Sequence, residues 1–264
     1  MRTAILFLID GLRPDALQAA DTPTMDQLMA SGISTLSAQT VMPSITLPCI
    51  ASLILSAPPE EHGVTSNIWT AESAGPGIFE VVVEAGGRAA SFYNWEQLRD
   101  LSRPGVLRAG VYLDNCHTPR GAGDRELAEL AATYLQDHPT DFTFIYLGYT
   151  DVAGHDHGWM TTPYLQAVEN ADRCIATVLE RLPDNDSLLV AVTSDHGGHE
   201  THHGTSLAED MTTSVILCTS GASSDSTSAG GGSLNGMSIL DITPTIATWM
   251  GLSPARSWRG RSHL

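Results

Sequence analysis

Lysine is absent from this sequence of 264 residues. All 13 basic residues are arginines, and against 30 Asp and Glu they leave a formal net charge of −17. The absence excludes a Schiff-base lysine and the lysine of a phosphate-binding P-loop. The shortage of positive charge argues against a sequence-independent nucleic-acid-binding surface and against adhesion to an anionic membrane. Bound divalent cations, however, supply local positive charge that the chain itself lacks.

Cysteines and long apolar runs are also scarce. The four cysteines form no CxxC pair, which predicts reduced, mostly buried thiols in a reducing compartment. The apolar run of residues 4–9 is short, ends at Asp10 and is followed by no small-residue cleavage site, so it is not expected to be a signal peptide. No stretch approaches the ~18 apolar residues of a spanning helix. We expect a cytoplasmic protein without a membrane segment; its oligomeric state is left open.

Apolar runs of strand length alternate with helical patterns along the chain. Strands apolar on both faces and separated by helices predict an α/β fold with a mostly parallel sheet and helices on both faces, here as one domain over residues 1–264. The Ser/Gly-rich segment 219–236 is predicted to be a flexible surface loop. The predicted strands are 3–10, 88–94, 141–150 and 187–195, and the predicted helices lie within 22–32, 45–56, 79–87, 124–138, 162–182 and 239–252.

Metal-ligand residue types follow three of these strands: Asp10 the first, Asp151 and His155 the third, Asp195 and His196 the fourth. Ligands bind at the carboxyl ends of strands in such sheets. Singly, each has an ordinary explanation as a turn, a helix cap or a solvated loop. Carboxylates and imidazoles together suit Zn²⁺ or Mn²⁺. Six of the ten histidines fall in the last two segments: His155, His157, His196, His199, His202 and His203.

Two metal ions ~3.5–4 Å apart form a clamp for in-line displacement at phosphorus, and such a reaction needs a nucleophile. Thr46 is the candidate because it begins a predicted helix, whose N-terminus favours an anion. A threonine hydroxyl becomes a good nucleophile when a metal activates it. The alternative is that Thr46 only caps the helix.

The order of motifs carries a resemblance: strand-Asp-Gly at the start, Thr-x-Pro at a helix start, Asp-x-x-Gly-His-x-x-Gly, Ser-Asp-His-Gly, and a later His-Gly. In this order they resemble the alkaline phosphatase superfamily, and the chain is most similar to its type I phosphodiesterase/nucleotide pyrophosphatase branch. The resemblance implies one metal held by Asp10, Thr46, Asp195 and His196, and another held by Asp151, His155 and His203.

The resemblance also assigns the residues around these ligands. His203 is chosen over His199 and His202 because it directly precedes Gly204, as the last ligand of the family does. Asn67, within EEHGVTSNIW, matches the asparagine that binds a phosphate oxygen; its alternative is a local Asx-turn. The remaining polar residues, which either orient ligands or are merely exposed, are Asp156, His157, His199 and His202.

The implied function is a two-metal hydrolase of phosphate esters, with Zn²⁺ expected and Mn²⁺ as the alternative. Its partner is a small phosphate ester or nucleotide, and a phospho-threonine forms on Thr46. Diesters are expected over monoesters because residues 41–56 contain no arginine and Asn67 is neutral.

The alternatives are a phosphomonoesterase and a non-catalytic metal-binding regulatory protein. A sulfatase is disfavoured, since Thr46 and Ile50 stand where it needs Cys or Ser and Arg. A phosphoglycerate-mutase-like enzyme would need a serine nucleophile and a second domain.

Overall fold

A seven-stranded sheet in the order β2-β7-β6-β1-β5-β3-β4 is the centre of the fold. The computed structural model describes residues 1–70, 75–183, 185–219 and 234–264. The first strand, which carries the most continuous apolar run, lies in the middle of the sheet. The strands are β1 (Thr3–Ile9), β2 (Ile33–Gln39), β3 (Ala89–Tyr93), β4 (Ala109–Tyr112), β5 (Phe142–Leu147), β6 (Leu188–Thr193) and β7 (Thr212–Thr219).

The sheet is mostly parallel, as predicted. Four of the six strand pairings are parallel, and only β7 runs antiparallel to both of its neighbours, β6 and β2. The carboxyl ends of β6, β1 and β5 therefore lie side by side at one edge. This edge is where the three strands with predicted ligands end.

Helices cover both faces of the sheet, so the prediction of a single-domain α/β fold is confirmed. Strand β1 shows why both faces need cover. Leu6 and Leu8 enter the core on one side, while Phe7 and Ile9 enter the core on the other. The helices are α1 (Ala16–Ala19), α2 (Pro23–Ser31), α3 (Thr46–Leu55), α4 (Pro59–His62), α5 (Ile78–Glu84), α6 (Ala122–Asp137), α7 (Tyr149–His157), α8 (Thr162–Leu179), α9 (Ala208–Met211) and α10 (Ile242–Met250).

The two cores divide the long helices between the faces. Helices α3, α5 and α10 contribute to the core on the side of Leu6, and α2, α6 and α8 to the core on the side of Phe7. Helix α3 is buried along all ten of its residues, which matches its almost entirely apolar sequence. No helix within the described residues is both long enough and apolar enough to span a bilayer.

Several elements were not predicted from the sequence. Strands β2 and β4 are half-exposed edge strands without a clean apolar pattern, and β7 was not assigned. The predicted strand 141–150 ends at Leu147, and a helix, α7, begins two residues later. The predicted loop 219–236 cannot be compared, because residues 220–233 lie outside the described residues.

Candidate functional site

The carboxyl ends of β1 and β6 bring three predicted ligands into contact. Asp10 directly follows β1, and Asp195 and His196 follow β6. His196 Nε2 lies 3.3 Å from Asp10 Oδ1 and 3.4 Å from Asp195 Oδ2. All three side chains are buried. Parallel pairing of β1 with β6 places residues of the two strands in register, and this brings the residues that follow them together.

Helix α7 adds the ligands that follow β5. Asp151 and His155 are one turn apart on the same face of α7, and His155 Nε2 is 3.4 Å from Asp151 Oδ2. His203 comes from the loop after β6, and its Nε2 lies 3.7 Å from Asp151 Oδ1 and 3.2 Å from His155 Nε2. The structure thus brings His203 into this cluster.

The other polar residues considered from the sequence lie away from the cluster. His199 Nδ1 is hydrogen-bonded to Asp210 Oδ1 at 2.7 Å, and the imidazole of His202 is exposed. Asp156 and His157 are exposed at the end of α7. The structure therefore separates His203 from His199 and His202, which the sequence alone distinguished only by the glycine after His203.

Gly11 permits the close approach of the three strand ends. Its φ of +66° belongs to the left-handed region, and a Cβ there would lie 3.1 Å from Asp151 Oδ1. Its backbone N–H donates a hydrogen bond of 3.2 Å to Asp195 Oδ1. A side chain at this position would therefore push Asp151 away from Asp10 and Asp195.

The three clustered histidines, His155, His196 and His203, share the same tautomer of the neutral imidazole. In each ring Nδ1 lies within hydrogen-bond distance of a backbone carbonyl, which can only accept, so Nδ1 carries the proton and donates it. The Nε2 atom is then left with a lone pair, the form in which histidine binds a metal. The acceptors are Thr201 O for His155 (2.9 Å), Gly197 O for His196 (2.7 Å) and Ser44 O for His203 (2.9 Å).

Burial raises the pKa of the aspartates in this cluster and lowers the pKa of two of its histidines. It raises the pKa of Asp10 and Asp151 well above the ordinary aspartate value, and the negative charge of Asp195 raises both further. Burial likewise raises the pKa of Asp195 to about 6. For the imidazoles, burial lowers the pKa of His196 to about 4 and that of His203 to about 3. The carboxyl groups therefore lie close together beside imidazoles of lowered pKa. A divalent cation bound among them would stabilise their negative charge.

Two details of the geometry fit bound cations. Three carboxylate oxygens, Asp10 Oδ1, Asp151 Oδ1 and Asp195 Oδ2, are buried without a hydrogen-bond partner. The Nε2 atoms of His155 and His203 face each other at 3.2 Å, although neither carries a proton in the tautomer above. Facing lone pairs and unpartnered buried oxygens are both unfavourable unless a cation lies among them.

Two groups of residues could each hold an ion, their ligand atoms lying within 4.8 Å of one another in the described part of the chain. The first is Asp151, His155 and His203, the second Asp10, Asp151 and His196. The first group equals one of the ligand sets that the resemblance implied. The second differs in sharing Asp151 between the groups. The resemblance also implied Asp195 and Thr46 as ligands of this ion. They are not in the second group, but Asp195 Oδ2 lies 3.4 Å and Thr46 Oγ1 lies 3.1 Å from His196 Nε2.

Thr46 does not cap its helix, so that alternative is wrong. Ile45 occupies the N-cap position of α3, Thr46 is the first helical residue, and its hydroxyl donates a 3.1 Å hydrogen bond to His196 Nε2. The hydroxyl oxygen therefore lies at the ligand cluster and also at the N-terminus of a ten-residue helix.

Asn67 is tied to the backbone beside Thr46. Its Oδ1 accepts a 3.1 Å hydrogen bond from the N–H of Leu47, so the side chain is engaged across the chain and not in a local Asx-turn. Because Oδ1 is used in this way, the amide Nδ2 is the atom left to donate. The side chain of Asn67 is exposed, and it can therefore reach a ligand at the start of α3.

Sequence reasoning missed two aromatic residues that contact the cluster. The Tyr146 hydroxyl donates a hydrogen bond to Asp10 Oδ2. Trp159, just after α7, is buried with its indole edge-on to His155. Each offered a sequence signal, because a tyrosine or tryptophan inside an apolar core needs a partner for its polar atom. Which atom would be the partner was not readable from the chain.

Comparison with known proteins identifies relatives over most of the chain. The family model described as Type I phosphodiesterase / nucleotide pyrophosphatase matches residues 4–235. The human ectonucleotide pyrophosphatase/phosphodiesterase family member 7 is 24% identical over 225 residues, covering 73% of this chain and 47% of the human protein. The mouse family member 1 is 25% identical over 216 residues, covering 73% of this chain and 24% of the mouse protein. The chain thus spans half or less of the length of these relatives.

A shorter segment resembles another group of enzymes. The 2,3-bisphosphoglycerate-independent phosphoglycerate mutase of Pyrococcus horikoshii is 35% identical over 100 residues, which is 35% of this chain and 22% of that protein. Among solved structures, an inactive threonine-to-alanine variant of murine ectonucleotide pyrophosphatase/phosphodiesterase 5 in complex with AMP superposes with a TM-score of 0.76 at 12% identity, covering 100% of this chain and 98% of that one. A putative sulfatase from Bacteroides thetaiotaomicron has a TM-score of 0.74 at 16% identity, covering 99% of this chain and 73% of that one. These two likenesses concern the fold.

Proposed function

Because the chain belongs to the type I phosphodiesterase/nucleotide pyrophosphatase family, we propose that it is a metal-dependent hydrolase of phosphate esters, and more finely a phosphodiesterase acting through a phospho-threonine. We propose that residues 1–264 form one such domain. The observation that carries the proposal is the contact of Thr46 Oγ1 with His196 Nε2 at 3.1 Å, which places a hydroxyl at a cluster of carboxylates and imidazoles. Zn²⁺ is the proposed metal, with Mn²⁺ as the alternative.

The two ligand groups would hold two ions, which supply charge neutralisation at the attacking and leaving oxygens when bound. The chain's own residues do the rest. The hydroxyl of Thr46 loses its proton as Oγ1 bonds to phosphorus and the bond from phosphorus to the leaving oxygen breaks, and the leaving oxygen takes up a proton. Water then attacks phosphorus, the bond from phosphorus to Oγ1 breaks, and Oγ1 regains a proton from that water. At the N-terminus of α3 the N–H of Leu47 is bound by Asn67 Oδ1 and Pro48 has none, so the backbone N–H of Thr46 is the donor left to face the phosphate. The Nδ2 group of Asn67 adds a neutral donor on the same side.

The proposed preference for diesters follows from the charge around Thr46. A monoester dianion is usually held by an arginine or another cation. Two arginines outside segment 41–56 are directed elsewhere: Arg88 pairs with Asp141 at 3.6 Å, and Arg99 pairs with Asp100 at 3.3 Å. A singly charged diester suits a neutral amide better. Next to that amide, Ile68 is 69% exposed and offers an apolar surface for the second substituent.

Nucleotides are the proposed class of substrate, with other small phosphodiesters as the alternative. The support is the family and the solved structure of the murine relative in complex with AMP. We also propose a cytoplasmic, reducing location. Its support is the burial of Cys49, Cys116 and Cys174 as free thiols.

The test compares kcat/KM for bis-p-nitrophenyl phosphate with kcat/KM for p-nitrophenyl phosphate, in protein loaded with Zn²⁺ and separately with Mn²⁺. We expect the diester to be preferred. A preference for the monoester would support the phosphomonoesterase and overturn the diesterase. Binding of metal without turnover of either ester would support the non-catalytic metal-binding protein.

A further inference from the structure

Trp159 contacts all three chain segments that supply the clustered carboxylates and histidines. Its indole N–H donates a 2.9 Å hydrogen bond to Gly11 O, the residue after Asp10. Its backbone N–H donates a 2.7 Å hydrogen bond to Glu200 O, in the loop that carries His203. Trp159 itself lies two residues past the end of α7, which carries Asp151 and His155. The side chain is only 6% exposed.

The indole occupies a space that only glycine leaves open. A Cβ at Gly154 would lie 2.6 Å from the indole, and one at Gly198 would lie 2.2 Å from it. Gly154 directly precedes His155, and Gly198 follows the carbonyl of Gly197 that orients His196. The ring therefore packs against backbone next to two of the clustered histidines, without an intervening side chain.

The indole also contacts two clustered imidazoles themselves. Its ring centroid lies 5.2 Å from that of His155 at an interplanar angle of 84°, and 6.0 Å from that of His203 at 65°. Both arrangements are edge-to-face, which is a favoured geometry for aromatic pairs. These are the two rings whose Nε2 atoms face each other at 3.2 Å. One indole thus packs against both rings of this pair.

We propose that Trp159 is a positioning residue: anchored to Gly11 O, it holds the rings of His155 and His203 beside Asp151, and so determines the affinity of the group Asp151, His155 and His203 for its divalent cation. The proposal rests on the proposed function only in requiring that this group bind a metal. Groups that orient metal ligands typically change metal affinity about 10–100-fold when they are replaced.

The test is a calorimetric titration of metal-free protein with Zn²⁺, comparing wild type, Trp159→Phe and a matched control, Trp249→Phe. Trp249 is suited to this because its indole N–H also donates to a carbonyl of the β1 segment, Thr3 O at 3.0 Å, but at the opposite end of the strand. We expect Trp159→Phe to bind one of two ions about 10–100-fold more weakly. Trp249→Phe should bind both like wild type.

Thermal unfolding of the metal-free variants separates positioning from plain stability. If Trp159→Phe melts at a lower temperature than Trp249→Phe but binds both ions like wild type, Trp159 is only a packing residue and the proposal is overturned. If the wild type binds no Zn²⁺, the metal-dependent function fails instead, and the two failures are thus distinguishable.

A second measurement covers a Trp159→Phe variant that does not fold. Wild-type protein labelled with 5-fluorotryptophan has five fluorine resonances, one for each tryptophan. Single Phe substitutions at Trp69, Trp95, Trp249 and Trp258 assign four of them and leave that of Trp159. We expect the Trp159 resonance to shift as Zn²⁺ fills the site while that of Trp249 stays in place. A Trp159 resonance that does not respond to stoichiometric Zn²⁺ overturns the proposal.

Discussion

Thr46 combines two functions in one hydroxyl oxygen. The oxygen lies 3.1 Å from His196 Nε2, so it contacts the proposed ligands, and it stands at the start of α3, where the backbone favours an anion. Leu47, the next residue, has its N–H held by Asn67. Two hydrogen bonds therefore fix the proposed nucleophile, Thr46, and the proposed phosphate-binding amide of Asn67 relative to the start of α3.

Replacing Thr46 tests the covalent step. Thr46→Ala removes the attacking oxygen, and we expect kcat to fall by at least ~10³-fold, the scale seen when a catalytic unit is broken. Thr46→Ser should retain part of the activity because its oxygen remains. Steady-state kinetics on the diester measures both, with circular dichroism as the check on folding. Near-normal turnover in Thr46→Ala would contradict a phospho-threonine and assign the attack to water.

At the scale of elements, α3 is held in place by a buried histidine. The N–H of Val64 donates a 3.1 Å hydrogen bond to His62 Nδ1, so Nε2 carries the proton and donates to Ser52 Oγ at 2.8 Å. This pair connects α3 to the segment that leads to Asn67. Protonating Nδ1 would break the bond from Val64. Burial accordingly lowers the pKa of His62 to about 4.

This lowered pKa predicts a pH-dependent contribution to stability. The unfolded chain protonates His62 near its ordinary value of about 6.5, whereas the folded chain does so only near 4. The contribution of His62 is therefore complete above about pH 6.5 and is lost as the pH falls toward 4. We expect the difference in unfolding free energy between wild type and His62→Gln to shrink over that range. Urea unfolding of metal-free protein measures it.

Wild type and His62→Gln share every other titrating group, including His196 and His203. The contributions of those groups to the unfolding free energy therefore cancel in the difference. A difference that stays constant from pH 7 to pH 4 would mean that His62 binds its proton equally well in the folded and unfolded chain. The lowered pKa would then be wrong.

At the scale of the whole molecule, the net charge of −17 includes three carboxylates within one cluster: Asp10 and Asp195 are buried, and the side chain of Asp151 is 14% exposed. Each of the three lies within 3.4 Å of a histidine Nε2, and beyond the effect of burial their negative charges repel one another, which raises the pKa of Asp10 and Asp151. Bound divalent cations offset this repulsion in the folded state and not in the unfolded chain. Metal binding is therefore expected to stabilise the fold as a whole.

Zn²⁺ at about 100 times its Kd should add about 2.7 kcal/mol for each ion bound. For a chain of this size that corresponds to a rise in Tm of at least about 5 °C. Metal analysis should give close to two ions per chain. Differential scanning calorimetry with and without EDTA measures the rise. His203→Ala should lose part of it, whereas His157→Ala, which removes an exposed imidazole at the end of α7, should keep it. Equal loss in both variants would contradict the proposed ligands.

The sequence by itself was enough to identify the fold class and to propose the residue types of the candidate site. Strands buried on both faces must be apolar throughout, and β1 and β6 show this locally in the residues between Thr3 and Ile9 and between Leu188 and Thr193. Asp10, Asp151 and Asp195 were predicted as ligands because each stands at or just past the end of a predicted strand, where an aspartate after an apolar run is conspicuous. The order of the motifs along the chain, and not any distance in space, was the reason for assigning these aspartates and Thr46 to one site.

Only the tertiary structure decided the remaining features, because each depends on contacts between distant segments. The antiparallel direction of β7 follows from where the chain returns to the sheet, and the edge strands β2 and β4 have too little burial to show a pattern. The distance between His203 and His155 shows that His203 belongs to the cluster. The position of Ile45 at the N-cap of α3 shows that Thr46 does not cap this helix. Trp159 became visible only through its hydrogen bond to Gly11, 148 residues away. Periodicity and residue chemistry are local properties that a sequence displays directly, whereas the packing that orients ligands is set by side chains that meet only after folding.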